Sequence, residues 1–448
     1  MNLEMQPSSQ PSPRATRRDF LGATAAGASL FALPHIAGAA PMNKRPRVAA
    51  VFTVFTYRSH GHVILENFLE KYLFNGKLTD PGVDVVSFYA DQLPGGDMSR
   101  DVGRKYKVPM FKTIREALCV GGDKLAVDAV LSIGEHGDYP TNALGQREYP
   151  RKRFFDEIVA VMRDAKRFVP LFNDKHLSYR WDEAKAMYDE ARRLGIPLMA
   201  GSSVPLAQRR PPLGLPAGAE MAEAVSVHGG PLESYDFHAL EVLQSIVESR
   251  QGGETGVSRV EFLQGDAVWQ AARGGRWSLD LAQAAMNRER GDLKTLTTIP
   301  GEQEHAPHAL LLTFKDGLRA TILKVGRSDI RWNFACRLNG DAKIHSTAYY
   351  VGPWHNRNLF KALSHAIQHH FIHGKAPYPV ERTLLVTGVL EAAMRARQAG
   401  EPVATPELEF DYAPIDFTAM REMGESWKII TEKTPQPPGV NPLGIQKK

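Results

Sequence analysis

Apolar runs of strand length alternate with amphipathic helical segments in the first half of the chain. Val127–Pro140 reads as a buried strand that leads into a polar loop, and Val169–Ser178 and Ile196–Ser203 read as two further strands. The segments between them carry apolar residues at helical spacing. Strands that alternate with helices across short links predict a parallel sheet with crossover helices. Ligands of such sheets bind beyond the carboxyl ends of the strands, so we expect the chemistry there.

The pattern changes after Arg209–Leu213, where strands and helices become mixed. His308–Phe314 and Leu318–Val325 are joined by Lys315-Asp316-Gly317, which predicts a hairpin with an Asp-Gly turn. The predicted fold class is therefore α/β, a doubly wound Rossmann-like domain plus an α+β domain with a mostly antiparallel open sheet. The predicted segments are a signal peptide (1–39), a Rossmann-like nucleotide-binding domain (45–204), an α+β substrate and oligomerisation domain (205–375), a helix that packs back on the first domain (376–410) and an extended C-terminal tail (411–448).

The N-terminal segment has the features of an export signal in the expected order. Thr16–Leu21 contains a twin-arginine motif, Gly22–Leu33 is a weakly apolar run, and Ala37–Ala39 fits a small-residue cleavage site. The order predicts export of the folded protein by the twin-arginine (Tat) machinery to the periplasm or the extracellular space. The apolar run is too short for a stable membrane span.

Composition and charge narrow the function classes. The 448 residues carry a net charge of +5, and the charges are mixed along the chain, so nothing points to nucleic acid. The two cysteines, Cys119 and Cys336, lie in apolar stretches and predict no disulfide framework. The chain therefore has the composition of an ordinary soluble globular protein.

Imidazole, carboxylate and ammonium groups gather where the predicted strands end. Imidazole and carboxylate are the ligands of Zn, Mn and Fe sites, so a divalent metal is one hypothesis. The candidate metal ligands are His136, Asp138, His176 and His238. The whole set of strand-end residues is His60, His62, Asp91, Glu135, His136, Asp138, Asp174, Lys175, His176, His228, Asp236 and His238.

Four segments in the same order resemble the Gfo/Idh/MocA oxidoreductases, which include glucose–fructose oxidoreductase and inositol dehydrogenase. They are Asp97–Leu118, Val127–Ile133, Asn173–Gly201 and Tyr378–Gly400. The resemblance implies a tightly held NAD or NADP, a carbohydrate or cyclitol substrate whose hydroxyl is oxidised, and a homo-oligomer.

The resemblance also assigns roles to residues of this chain. Lys175 takes the place of the family's lysine beside the nicotinamide, and His238 the place of its proton-transfer histidine. Independently of the resemblance, Glu241 lies three residues after His238 on the same predicted helix, where we expect it either to orient the imidazole or to form an ion pair on the helix surface. His176 replaces the proline after the lysine and is the third catalytic candidate. The implied cofactor-binding residues are Thr53, His60, Gly61, His62, Asp91, Glu135, His136 and Asp174, with Asp91 on the adenosine ribose.

The chain departs from the family where the pyrophosphate should bind. The glycine-rich motif after the first strand is replaced by Phe52–Gly61, in which only Gly61 remains. Three hypotheses follow: an exported NAD(P)-dependent oxidoreductase, a metal-dependent lyase or hydrolase of sugar derivatives on the same fold, and a non-catalytic sugar-binding protein. Bound dinucleotide separates the first from the others, and bound metal separates the second from the third.

Overall fold

The structure is a computed structural model that describes residues 44–216, 218–289, 291–297 and 306–441. The predicted signal peptide lies outside the described residues, as does the end of the predicted C-terminal tail. Within the described ranges, no helix combines the length and the apolar character needed to cross a bilayer.

The described strands form two large sheets and one small hairpin. In chain order the strands are β1 (Arg47–Phe52), β2 (Tyr72–Phe74), β3 (Lys77–Thr79), β4 (Asp84–Ala90), β5 (Met110–Phe111), β6 (Ala129–Ile133), β7 (Leu171–Asp174), β8 (Leu198–Gly201), β9 (Gln208–Arg210), β10 (Met221–Gly229), β11 (Val257–Gln264), β12 (His308–Phe314), β13 (Arg319–Lys324), β14 (Ser328–Leu338), β15 (Ile344–Tyr350) and β16 (Val403–Ala404).

The helices connect these strands and cover the faces of both sheets. In chain order they are α1 (His60–Leu69), α2 (Ser99–Tyr106), α3 (Ile114–Cys119), α4 (Arg151–Asp164), α5 (Trp181–Leu194), α6 (Ser234–Val247), α7 (Asp266–Arg273), α8 (Leu279–Met286), α9 (Leu293–Thr297), α10 (Asn356–His373) and α11 (Val380–Ala399).

The first sheet has six parallel strands in the order β5-β4-β1-β6-β7-β8. This doubly wound order confirms the predicted Rossmann-like architecture. Strands buried on both faces explain the continuous apolar runs, such as β6, whose residues are all buried. Local signals end the helices as expected: Gly195 closes α5 with φ 67°, a left-handed conformation that glycine adopts without strain. The sequence predicts a first strand over Arg47–Tyr57, but β1 ends earlier, at Phe52.

The second sheet has eight strands in the order β16-β11-β12-β13-β10-β14-β15-β9. Its pairs are antiparallel except β10 with β13, which confirms the mostly antiparallel sheet. The predicted hairpin is β12–β13, in which Thr313 pairs with Arg319 across the Asp-Gly turn. Helices α6 and α11 cover one face of this sheet, and α8 packs against the other.

Helix α11 contacts the cores of both sheets. Leu384 packs in the cluster under the parallel sheet, whereas Leu385 and Val389 pack under the antiparallel sheet. A buried ion pair ties the same helix to α6: Arg382 Nε donates to Glu248 Oε2 at 2.9 Å, and both side chains are 1% exposed. The predicted helix therefore exists, and it bridges both sheets rather than packing only on the first. The domain boundaries stay a prediction.

We expect Arg382→Ala to lower the free energy of unfolding by about 3–5 kcal/mol, because it leaves the Glu248 carboxylate buried without its cation. The control is Arg395→Ala, which removes the half-exposed pair with Glu407 and should cost less than about 1 kcal/mol. Urea unfolding followed by circular dichroism measures both. Equal losses in the two variants would contradict the role given to the buried pair.

Candidate active site

A cavity of about 460 Å³ opens where the carboxyl ends of the parallel strands face the N-terminus of α6. Its volume suits a small molecule such as a sugar. The residues around it come from the loops after β1, β6, β7 and β8, from α6 and β14, and from the loop after β15 together with the start of α10. They are Arg58, His60, Glu135, His136, Tyr149, Lys175, Ser203, Val204, Ser234, Tyr235, His238, Asp329, Ile330, Trp332, Val351, His355, Asn356, Leu359 and Phe360.

Strained backbone concentrates around this cavity. In the described part of the chain nine non-glycine residues have positive φ, and four of them line the cavity: Arg58, His136, Lys175 and His355. A fifth, Glu233 with φ 66°, precedes the lining residue Ser234. Such conformations cost about 1–3 kcal/mol each and persist where the surroundings hold them, most often at functional sites.

Lys175 is held in the cavity by a buried carboxylate. Its Nζ lies 3.4 Å from Glu135 Oε1 and donates to the carbonyl of Ser234 at 3.2 Å. Arg151 donates to the other carboxylate oxygen, Oε2, at 2.5 Å. Burial raises the pKa of Glu135, but the charges of Lys175 and Arg151 outweigh this effect and hold that pKa well below its usual range. Glu135 therefore stays ionised and fixes the ammonium group at the cavity.

A histidine–aspartate pair forms a second functional group. His60 Nδ1 lies 2.6 Å from Asp174 Oδ2, and the imidazole lines the cavity. A carboxylate only accepts hydrogen bonds, so Nδ1 is the donor, and in the neutral imidazole Nε2 carries the lone pair. This is the arrangement in which an aspartate orients a histidine that acts as a general base. His60 and Asp174, both predicted as cofactor-binding residues, thus have the geometry of an acid–base pair.

His238 presents a third polar group to the cavity. Its Nδ1 lies 2.5 Å from Ser202 Oγ, and its Nε2 makes no hydrogen bond with a described residue. Burial and the charge of Lys175 lower the pKa of His238 well below its usual range, so the imidazole is neutral. The expectation that Glu241 orients His238 is wrong: that carboxylate accepts from Thr383 at 2.9 Å, because the side chain turns toward α11.

Two stacked aromatic rings form part of the wall. Tyr235 and Trp332 lie with ring centroids 5.0 Å apart at 22°, and both line the cavity. Trp332 also meets the edge of the His238 ring at 5.3 Å. An aromatic face next to hydrogen-bonding groups matches the apolar C–H face and the hydroxyl rim of a sugar ring.

Other predicted residues lie outside the cavity. His176 Nε2 is 3.0 Å from Arg151 Nη1 and 3.5 Å from Glu233 Oε1, behind the wall. Thr53 is buried with its hydroxyl on the carbonyl of Glu135, and His62 accepts from the Arg58 amide through Nδ1. These three side chains contact residues of the site from outside the cavity, so they do not line the place where a ligand would bind.

The four candidate metal ligands do not come together. His176 is turned to Arg151, His238 to Ser202, and Asp138 is exposed in the loop after β6, so they share no centre with His136. Among the described residues, the one group of metal-ligand side chains within 4.8 Å of one another is His228, Asp236 and His308.

The side chains of that group form hydrogen bonds with one another. The Nε2 atoms of His228 and His308 lie 3.0 and 2.8 Å from the same oxygen, Asp236 Oδ1. Two imidazole N–H donors satisfy this buried carboxylate without an ion. The residue types suit zinc or iron, but the cluster lies behind Trp332, whose ring stacks on His228 at 10°.

The place where the resemblance puts the adenosine ribose is filled by the chain. Asp91 accepts from Tyr89 at 2.7 Å, from Tyr139 at 2.6 Å and from Arg153 at 2.5 Å. Tyr139 belongs to the loop after β6, and Gln92 ties that loop down through hydrogen bonds to both backbone groups of Asp138. Ribose hydroxyls would have to displace these donors.

The loop that would hold the pyrophosphate is altered as well. Phe55, in the loop after β1, is fully buried and packs edge-on against Phe52 and Phe88. At the N-terminus of α1 the His62 amide donates to Ser59 Oγ at 3.4 Å. Gly61 is retained because a Cβ there would lie 2.5 Å from the Val54 carbonyl. The residues present do not fit a dinucleotide in the position that the resemblance implies.

Comparison with known proteins gives the fold. No protein-family model and no curated protein sequence matches the chain. Among solved structures, myo-inositol dehydrogenase from Lactobacillus casei in complex with NAD(H) and myo-inositol has a TM-score of 0.53 at 13% identity, over 84% of this chain and 100% of that one. GenD2 from gentamicin A biosynthesis, in complex with NAD, has a TM-score of 0.52 at 14% identity, over 82% and 98%. The chain has the Gfo/Idh/MocA fold. At these identities the likeness shows the fold alone.

Several residues of the candidate active site could not be predicted from the sequence. Arg151 looks like an ordinary first residue of a helix, yet its side chain is fully buried between Glu135 and His176. Ser202 and Trp332 reach the site from distant segments. Glu233 is the exception, because it stands in the turn Gly229–Ser234 directly before the helix that carries His238.

We expect the ionisation of Glu233 to lower the free energy of unfolding as the pH rises. Burial and the nearby Glu135 carboxylate raise the pKa of Glu233 from 4.5 to about 7. Between pH 4.5 and about 7 the folded chain therefore holds a proton on Glu233 that the unfolded chain has released. The stabilisation that this proton gives is lost as the pH rises through about 7. Glu233→Gln should match the wild type at pH 5 and exceed its free energy of unfolding at pH 8 by on the order of 1–3 kcal/mol.

Urea unfolding at both pH values measures the difference. The charged and titratable groups that face Glu233 are the same in both proteins; they are Glu135, Arg151, Lys175, His176 and Asp236. A difference between variant and wild type that does not change with pH would show that Glu233 is not the titrating group.

Proposed function

We propose that this protein is an enzyme that transfers a proton to or from a hydroxyl of a carbohydrate or cyclitol in the 460 Å³ cavity. The observation that carries the proposal is the convergence of three differently oriented proton-transfer groups on one small cavity: Lys175, the His60–Asp174 pair and His238. The backbone strain at Lys175 and the aromatic wall support it.

Each group has a defined part. The ammonium group of Lys175, held by Glu135, donates a hydrogen bond to a substrate oxygen and stabilises negative charge there. The Nε2 lone pair of His60 accepts the hydroxyl proton, and Asp174 stabilises the imidazolium that forms. Neutral His238 exchanges a hydrogen bond with a neighbouring hydroxyl through Nε2. The aromatic wall formed by Tyr235 and Trp332 contacts the apolar part of the sugar.

Two reaction classes share this proton transfer. The fold favours an oxidoreductase, because one named neighbour is an inositol dehydrogenase and both were crystallised with NAD or NAD(H). The filled dinucleotide position favours a redox-neutral lyase or hydrolase of a sugar derivative. Tyr139 bonds to the carboxylate that would hold the ribose, and the loop after β1 keeps only Gly61 of the glycine-rich motif.

We also propose that the chain is exported. The twin-arginine motif and the apolar run of the N-terminal segment support this proposal, which places the enzyme in the periplasm or outside the cell. A homo-oligomer stays a prediction from the resemblance.

Fusing residues 1–45 to a reporter that is active only after export, with Arg17 and Arg18 changed to Lys as the control, tests the export signal.

We expect Lys175→Met and His60→Gln to reduce turnover about 10²–10⁴-fold, because each removes a proton-transfer or charge-stabilising group. The control is Lys361→Met, since Lys361 is a buried lysine that does not line the cavity. Proton NMR of a panel of sugars, sugar derivatives and cyclitols detects both keto products and elimination products. Full activity of both cavity variants would refute the assigned roles.

The cofactor question has a direct measurement. The protein, purified folded, is denatured and the released molecules are analysed by mass spectrometry for dinucleotide and by elemental analysis for metal. Because donors of the protein satisfy Asp91 and the loop after β1 lacks the glycine-rich motif, we expect no stoichiometric NAD(H) or NADP(H). About one dinucleotide per chain would establish the oxidoreductase and show that the loop after β6 moves aside; metal without dinucleotide would favour the lyase or hydrolase.

A further inference from the structure

A second cavity, of about 750 Å³, lies on another side of the molecule. Its walls are the C-terminal part of α6, the loop after β9, and residues 414–423 of the C-terminal segment. It shares no lining residue with the candidate active site. Its apolar wall includes Leu213, Ile246, Ile415 and Phe417.

Two arginines in this cavity lack anionic partners. Arg421 is 7% exposed, and neither it nor Arg209 forms a salt bridge with a described residue. The Nε atoms of both guanidinium groups are buried without a hydrogen-bond acceptor. Arg209 donates to the Leu213 carbonyl at 3.0 Å through Nη1 alone, and its guanidinium lies 5.5 Å from the ring of Tyr349, whose buried hydroxyl is also unpartnered.

The other charged residues of the cavity are engaged elsewhere. Glu422 accepts from Ser426 and from the Asn75 and Gly424 amides, and Asp416 caps the Thr418 amide. Arg250 pairs with Glu254 at 3.0 Å and with Asp316 at 2.7 Å. Burial and the charge of Arg209 lower the pKa of Arg421 to about 10. Asp416 offsets part of the charge of Arg421 but forms no salt bridge with it. Two cations thus face one cavity with no ion-pair partner among the described residues, and buried charge is normally paired.

We propose that Arg209 and Arg421 form a binding site for an oxyanion (a carboxylate, sulfate or phosphate group) carried by a small molecule whose apolar part rests on the wall of this cavity. Guanidinium groups offer forked donors that match the oxygens of such anions. The apolar wall beside the arginines accommodates the rest of the ligand. This site is independent of the proposed enzymatic function.

The test is thermal unfolding of the full chain in acetate, sulfate or phosphate, against sodium chloride at equal ionic strength. We expect at least one of these anions to raise the wild-type Tm saturably, by about 2 °C or more. Arg421→Gln and Arg209→Gln should lose the saturable rise. Arg192→Gln, which changes an exposed arginine on α5, should keep it.

The variants separate binding from general salt effects, because sulfate and phosphate stabilise most proteins by exclusion from their surface. The same rise in all four proteins, or no rise beyond that in chloride, would overturn the proposal. Arg421→Met gives a second readout: without added anion its Tm should equal or exceed that of the wild type, because an uncompensated buried charge is gone. If Arg421→Gln does not fold, Arg209→Gln, at a half-buried position, carries the test.

Discussion

The buried carboxylate of Glu135 is the interaction on which the site depends. Because an ionised group cannot remain in the interior alone, it requires Lys175 on one side and Arg151 on the other. Arg151 in turn reaches His176, whose other contact is Glu233 at the start of α6. One network therefore connects loops of the parallel sheet with the first helix of the antiparallel sheet. It holds the strained backbone of Lys175 in place, because any relaxation would separate buried charges.

The same need for compensation explains how the Gfo/Idh/MocA fold is altered here. Where a glycine-rich turn would leave backbone amides free for phosphate, this chain has a buried phenylalanine and amides that bond to its own side chains. The acidic residue after β4 is kept, but three donors of the protein satisfy it. Asp91 has become a structural anchor for the loop after β6, and that loop places Glu135 and His136 at the cavity.

The sequence predicted the two-sheet architecture because its signals are local. Apolar runs, helical spacing and terminal glycines such as Gly195 act within a few residues, and they indicated the parallel sheet, the β12–β13 hairpin and helix α11. The resemblance also implied that Lys175 and His238 belong to one site, and both line the cavity. The hydrogen-bond partners of individual side chains were harder to predict: Glu241 was expected to orient His238, yet the partner of its imidazole is Ser202.

The sequence by itself determined the order of elements, the class of fold and the edge at which the polar residues gather. Only the tertiary structure decided which of those residues face a common cavity, that His60 pairs with Asp174, and that Tyr139 closes on Asp91. The reason is that these contacts join segments far apart along the chain, such as the 114 positions between His60 and Asp174. Helix and strand periodicity report the neighbours of a residue along the chain, whereas burial and charge compensation depend on what the folded chain brings against it.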